Sequence, residues 1–243
     1  MNRPDYLNSN AESRQPVPAE RADAYQPAGY QSTGVSADAS KVLRNTYMLL
    51  SLTLLFSGAV AAMSMAFNWP HPGIIITLVG YFGLLFLVEK TKHSAMGLVS
   101  VFALTGFMGL TLGPIVSMYA KLPGGDQMIA MAMGTTGLIF VAMSAWVLTT
   151  GKELSGMGKT LTAGILIAFV LSIGNLFFQI PALSLAVSAM FIMLMTGLIA
   201  YQTSAIIHGG ETNYISATVT LFVSIYNLFL SLLQIFGVLG SDE

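Results

Sequence analysis

Cysteine is absent from the chain, which excludes disulfide frameworks, thiolate catalysis and cysteine-based metal sites. Charge is scarce: 9% of residues are Asp, Glu, Lys or Arg, against about a quarter in an average soluble domain. The net charge of −1 offers no electrostatic footprint for nucleic acid. In place of charge the chain is 54% hydrophobic, with a mean hydropathy of +0.72. Several uncharged runs of about 20 residues make it an all-α polytopic membrane protein, because a helix of that length crosses the hydrocarbon core.

Two regions are expected. Residues 1–40 are rich in Pro, Ser, Ala, Asn and Gln, and Pro4, Pro16, Pro18 and Pro27 interrupt any helix. With no apolar periodicity, this stretch reads as a disordered tail, either inert or a handle for a partner. Its polarity also argues against a cleaved signal peptide. Residues 41–243 form the membrane domain, with spans at about 43–67, 73–88, 95–119, 127–149, 160–179, 182–207 and 215–239. The connections are short and carry breakers such as Pro70 and Pro72, Pro123-Gly124-Gly125, Pro181 and Gly209-Gly210, so successive spans run antiparallel.

Lys and Arg set the expected orientation. Arg3, Arg14, Arg21, Lys41, Arg44, Lys90, Lys92, Lys152 and Lys159 share one side, and only Lys121 lies on the other. That asymmetry puts the N-terminus in the cytoplasm and the C-terminus outside. His71 then lies outside and His93 and His208 inside, so the three histidines read as solvated loop residues rather than one site.

Small residues predict how the helices meet. Gly106, Gly109, Gly113 and Ser117 in the third span, like Ser57, Ala61 and Ser64 in the first, recur every three or four residues. Such faces let backbones approach closely. Pro114 is expected to kink the third helix, with neighbours satisfying the carbonyl it frees.

Chemistry is hard to find. Gly158-Lys159-Thr160 ends like a phosphate-binding loop, but Glu153 stands where that motif needs glycine. No Ser, His and acid set lies at one depth, so no hydrolase is expected. Apart from Arg44 at the edge of the first span, the spans hold no Asp, Glu, Lys or Arg, the groups on which intramembrane proton and cation paths rely. No cofactor or metal is expected. The last span carries a polar stripe, Thr220, Ser224, Asn227, Ser231 and Gln234, and the fifth carries Gly164, Ala168, Ser172, Asn175 and Gln179. The two stripes, with Gln202, are expected to share the bundle interior. There they would serve either as interhelical hydrogen bonds that set register or as the lining of a narrow polar conduit.

Four stretches together resemble the Bax inhibitor-1 (transmembrane Bax-inhibitor-motif) family, and within it the bacterial YccA-like branch. They are VLRNTYMLLSLTLLFS at 42–57, TGFMGLTLGPI at 105–115, IIHGGETNYISATV at 206–219 and SIYNLFLSLL at 224–233. The most specific is the loop holding His208, Gly209, Gly210, Glu211, Asn213 and Tyr214. The resemblance implies a seven-helix bundle with the last helix at its centre. For the YccA-like branch it implies an inner-membrane protein that binds the FtsH protease and slows proteolysis of membrane proteins, with no catalysis of its own. Some relatives are calcium-leak channels gated by two aspartates sharing a proton. At the matching positions this chain has Gln202, within Tyr201-Gln202-Thr203, and Ser224, three residues before Asn227. Neither titrates, so a proton-gated calcium leak does not carry over, and cation passage stays the alternative.

Overall fold

The computed structural model describes residues 35–240. Seven helices follow one another: α1 (Ala37–Ala66), α2 (Ile74–Thr91), α3 (Met96–Ala120), α4 (Gly125–Thr150), α5 (Gly158–Phe178), α6 (Pro181–Ile207) and α7 (Tyr214–Leu239), with a single 3-10 turn, Ser155–Met157, before α5. Each of the seven is long and apolar enough to cross a membrane. Residues 1–34 of the expected tail lie outside the described residues. The rest of that stretch is not tail, because α1 already begins at Ala37. The start signal is local: Ser36 accepts a hydrogen bond from the Ala39 N–H at 3.2 Å, and Asp38 complements the positive end of the helix dipole.

The last helix occupies the centre. From Tyr214 to Gly237 no residue of α7 is exposed, and α1, α3, α4 and α6 pack around it. Phe222, Leu221, Leu228 and Leu233 are its fully buried anchors. By contrast, α2 buries only Val88, and α5 only Leu161 and Ala168. Their remaining surface, including Ile75, Val79, Phe86, Val170 and Phe177, is exposed hydrocarbon, which a bilayer solvates and water does not.

Glycines set the α1–α3 contact. A Cβ on Gly113 would lie 2.6 Å from the Ser64 Cβ, and one on Gly109 would strike the Ser57 backbone carbonyl. Only hydrogen fits there, as the small-residue spacing predicts. The same seam repairs α3. Pro114 has no N–H for the carbonyl of Leu110, four residues back, and the Ser64 hydroxyl donates to that carbonyl instead at 3.1 Å.

Candidate functional site

At the end of the bundle where α1 begins, the loop between α6 and α7 is the organiser. The backbone turns at Gly209, whose φ of +75° suits glycine, and the N–H groups of Gly210 and Glu211 both donate to the Ala205 carbonyl, at 2.8 and 3.0 Å. The Glu211 Oε1 accepts from the Asn213 N–H at 2.8 Å. Asn213 then caps α7: its Oδ1 accepts from the N–H groups of Ile215 (2.9 Å) and Ser216 (3.1 Å). Tyr214 opens the helix, and its half-buried ring packs against the main core.

The same residues reach the two neighbouring connections. The Asn213 Nδ2 donates to the Lys92 carbonyl at 3.0 Å and lies 3.4 Å from the His93 ring nitrogen Nδ1, which ties α7 to the α2–α3 turn. His208 reaches the other way, with its Nδ1 2.9 Å from the Ser204 carbonyl and its Nε2 3.1 Å from the Gly151 carbonyl. Ser204, 1% exposed, donates to the Lys152 carbonyl and accepts from the Leu154 N–H, both at 2.9 Å. One polar network therefore joins α2–α3, α4–α5 and α6–α7. His93 and His208 are exposed, as solvated loop residues should be, yet each anchors one arm of this network. Sequence reasoning missed Ser204. Its position four residues before His208 was the available signal, since that spacing puts both on one face of α6.

The expected polar interior is only partly assembled. Gln234 does bridge helices: its Nε2 donates to the Ser184 hydroxyl, and its Oε1 accepts from Ser188 at 2.6 Å. Thr220, Ser224 and Asn227 do not. They donate to carbonyls of their own helix, those of Ser216 (3.1 Å), Thr220 (2.7 Å) and Val223 (2.8 Å). Ser231 is buried beside them. The other cross-helix bonds of α7 come from Thr218, whose hydroxyl donates to the Thr46 carbonyl at 3.3 Å, and from Tyr226, whose hydroxyl is 3.3 Å from that of Thr111.

The α5 stripe is a correction. α5 packs on α6, and its backbone does not come close to that of α7. Asn175 and Gln179 sit at its C-terminal end, where the Asn175 Oδ1 accepts from the Ile180 N–H at 3.0 Å. Gln179 is exposed and takes the left-handed conformation that closes the helix, with φ +50°. Both residues end a helix rather than line an interior. Gln202 is buried, 5% exposed, but no hydrogen bond joins it to Ser224, and its Nε2 lacks a partner among the described residues. Neither side chain can exchange a proton in the physiological range, so this pair cannot act as a titrating gate.

A family profile described as Inhibitor of apoptosis-promoting Bax1 matches residues 39–241, all of the helical bundle but the first two residues of α1. The chain belongs to the Bax inhibitor-1 family. Escherichia coli (strain K12) has a relative named Modulator of FtsH protease YccA, 54% identical over 202 residues, which is 83% of this chain and 92% of that protein. A relative in Escherichia coli O6:H1, matching to the same extent, is named Inner membrane protein YccA. An uncharacterized protein of Pseudomonas aeruginosa is 54% identical over 206 residues, 85% of this chain and 93% of its own length. With seven helices fit to span a bilayer, this Bax inhibitor-1 family member is a multi-pass inner-membrane protein. In it, the loop that carries His208, Gly209, Gly210, Glu211, Asn213 and Tyr214 ties together three connections at one end of the bundle.

Proposed function

We propose that this protein regulates a membrane-bound protease of the FtsH type by binding it, and so modulates the proteolysis of other membrane proteins. The observation that carries this reading is the 54% identity to a protein named as the modulator of that protease, across 92% of that protein's length. The names of family and relatives point to a regulatory membrane protein and to no enzyme. A physical argument supports it. A protease that pulls on its clients needs a polar segment to grip, and residues 1–34 are polar and interrupted by proline. The bundle that follows them in sequence resists extraction, because α1 is locked to α3 through Gly109 and Gly113 and its backbone is bonded to α7. Gripping is then easy and unravelling slow, which occupies the protease and spares competing substrates. In this reading the partner meets the N-terminal stretch and the membrane helices from the cytoplasm, an orientation that the asymmetry of Lys and Arg supports.

The test is deletion of Asn2 to Gly34, which leaves the Ser36 cap and α1 intact. The truncated protein should stay folded and inserted, escape its own turnover by FtsH, and still slow degradation of an unrelated FtsH membrane substrate. Half-lives are measured in cells with and without the protease. Equal half-lives for both forms, together with an unchanged competing substrate on overexpression, refute the proposal. Cation passage is not favoured, because Gln202 and Ser224 stand where the titrating pair of the leak channels would be.

A further inference from the structure

The outer face of the bundle has a gap. α2 and α5 both border it, yet make no helix-to-helix packing contact; what links them there is the edge-on meeting of the Phe82 and Phe169 rings, 5.8 Å apart. Behind those rings lies a cavity of about 600 Å³. Its walls are largely apolar, and Phe82 and Leu166 at the rim are exposed, at 49% and 59%. The back wall is different, since Tyr81, Thr111, Tyr226 and Asn227 all border the space.

Depth decides what can enter. Tyr226 and Asn227 are the middle residues of α7, and Tyr81 and Phe169 are near the middles of α2 and α5. The cavity therefore faces the centre of the hydrocarbon, where no water can solvate a polar group. Thr111 and Tyr226 bond each other at 3.3 Å, and the Asn227 Nδ2 is held by the Val223 carbonyl. The structure gives neither the Tyr81 hydroxyl nor the Asn227 side-chain oxygen a hydrogen-bond partner among the described residues, and both residues line the cavity. A donor and an acceptor thus border a largely apolar space at mid-membrane depth with no protein partner among the described residues, and an unmet polar group is costly there.

We propose that this cavity is a binding site for a free fatty acid in its neutral, carboxylic form, which enters sideways from the bilayer between α2 and α5. The head suits the back wall: the carboxyl O–H donates to the Asn227 Oδ1, and the carboxyl C=O accepts from the Tyr81 hydroxyl. The hydrocarbon tail runs out past Phe82 and Phe169 into the membrane. A phospholipid acyl chain fits less well, because its ester oxygens stay near the interface and its tail leaves both polar groups unmet. A partner helix is too large, since a transmembrane helix about 10–12 Å wide and 30 Å long occupies several times this volume. Ionised acid is excluded by the cost of a bare carboxylate at mid-membrane, with no cation among the described residues that line the cavity.

The experiment uses the full chain in lipid nanodiscs of phosphatidylethanolamine and phosphatidylglycerol. The probe is a palmitic acid carrying a diazirine on its chain, with the labelled peptides mapped after irradiation. Labelling should saturate, concentrate in α2 and α5, and be displaced by unlabelled palmitic acid at least tenfold better than by hexadecane. Tyr81→Phe with Asn227→Leu, which remove the polar atoms and little volume, should lower the apparent affinity at least tenfold. Leu166→Trp at the rim should compete for the same space and reduce labelling. Even labelling of all lipid-facing helices, equal displacement by hexadecane, or equal labelling by a phospholipid carrying the same diazirine chain overturns the proposal. The displacement result is read on the unaltered protein, so it decides the matter even if the double variant does not fold.

Discussion

Replacing Gly113 with alanine adds one methyl group where α1 and α3 touch. The new carbon would lie 2.6 Å from the Ser64 Cβ, 2.7 Å from its hydroxyl oxygen and 2.8 Å from the Ala61 carbonyl oxygen. Carbon atoms rest at about 3.5–4.0 Å, so the helices must part by roughly an ångström. Overpacking of this kind costs about 1–3 kcal/mol. The shift also strains the Ser64 bond to the Leu110 carbonyl, which Pro114 leaves without a helical donor. Opposing this, alanine is the better helix former by about 0.8–1 kcal/mol. Gly58→Ala supplies the control, because a Cβ there meets nothing within 4 Å. The propensity gain is common to both variants and cancels in their difference. Gly113→Ala should therefore be less stable than Gly58→Ala by about 1–3 kcal/mol. Reversible unfolding in mixed micelles, titrated with a denaturing detergent and followed by circular dichroism, measures it. Midpoints that coincide would show that the α1–α3 seam yields freely, and the resistance to extraction argued above would lose its basis.

The absence of native cysteine allows single introduced cysteines to report sidedness. Those at Ser94 and Ser155 should be shielded from an impermeant thiol reagent in intact cells, and one at Ser241 labelled; Ser94 and Ser241 on the same side would refute seven crossings. Asn213→Ala removes the α7 cap and the clasp on Lys92 together. It should cost about 1–2 kcal/mol and speed amide exchange in both the α2–α3 and α6–α7 connections, a pattern that loss of the cap alone would not produce. Gln234→Leu strands the Ser184 and Ser188 hydroxyls and should destabilise by about 0.6–2 kcal/mol, whereas Ser224→Ala should change stability little, because its hydroxyl shares a carbonyl of its own helix. The same detergent titration compares them, and equal effects would mean that the α6–α7 bridge is idle.

Much of the fold is legible along the chain because it depends on local composition and period. An uncharged run of about 20 residues must be a helix in lipid, whatever surrounds it. Glycine and serine every fourth residue mark a face that some helix approaches closely, and Gly109, Gly113, Ser57 and Ser64 do meet. The start of α1 was also written locally, in Ser36 and Asp38, but the lack of apolar periodicity there hid it. The family loop at 206–219 was recognisable as a motif, though not as a clasp.

What the chain by itself determined is the number of crossings, their alternation, the demand that α7 be enclosed, and the small-residue face of α3. The tertiary structure alone decided the partners. A polar stripe on a helix states that its face needs company without naming the neighbour, and a hydroxyl can satisfy itself on the carbonyl four residues back, as Ser224 and Thr220 do. Hence Asn175 and Gln179, expected beside α7, close the end of α5, whose backbone packs on α6. The bonds from His208, Ser204 and Asn213 to three separate connections could appear only once packing had brought those connections to one end of the bundle, because the residues involved lie 50 to 121 positions apart.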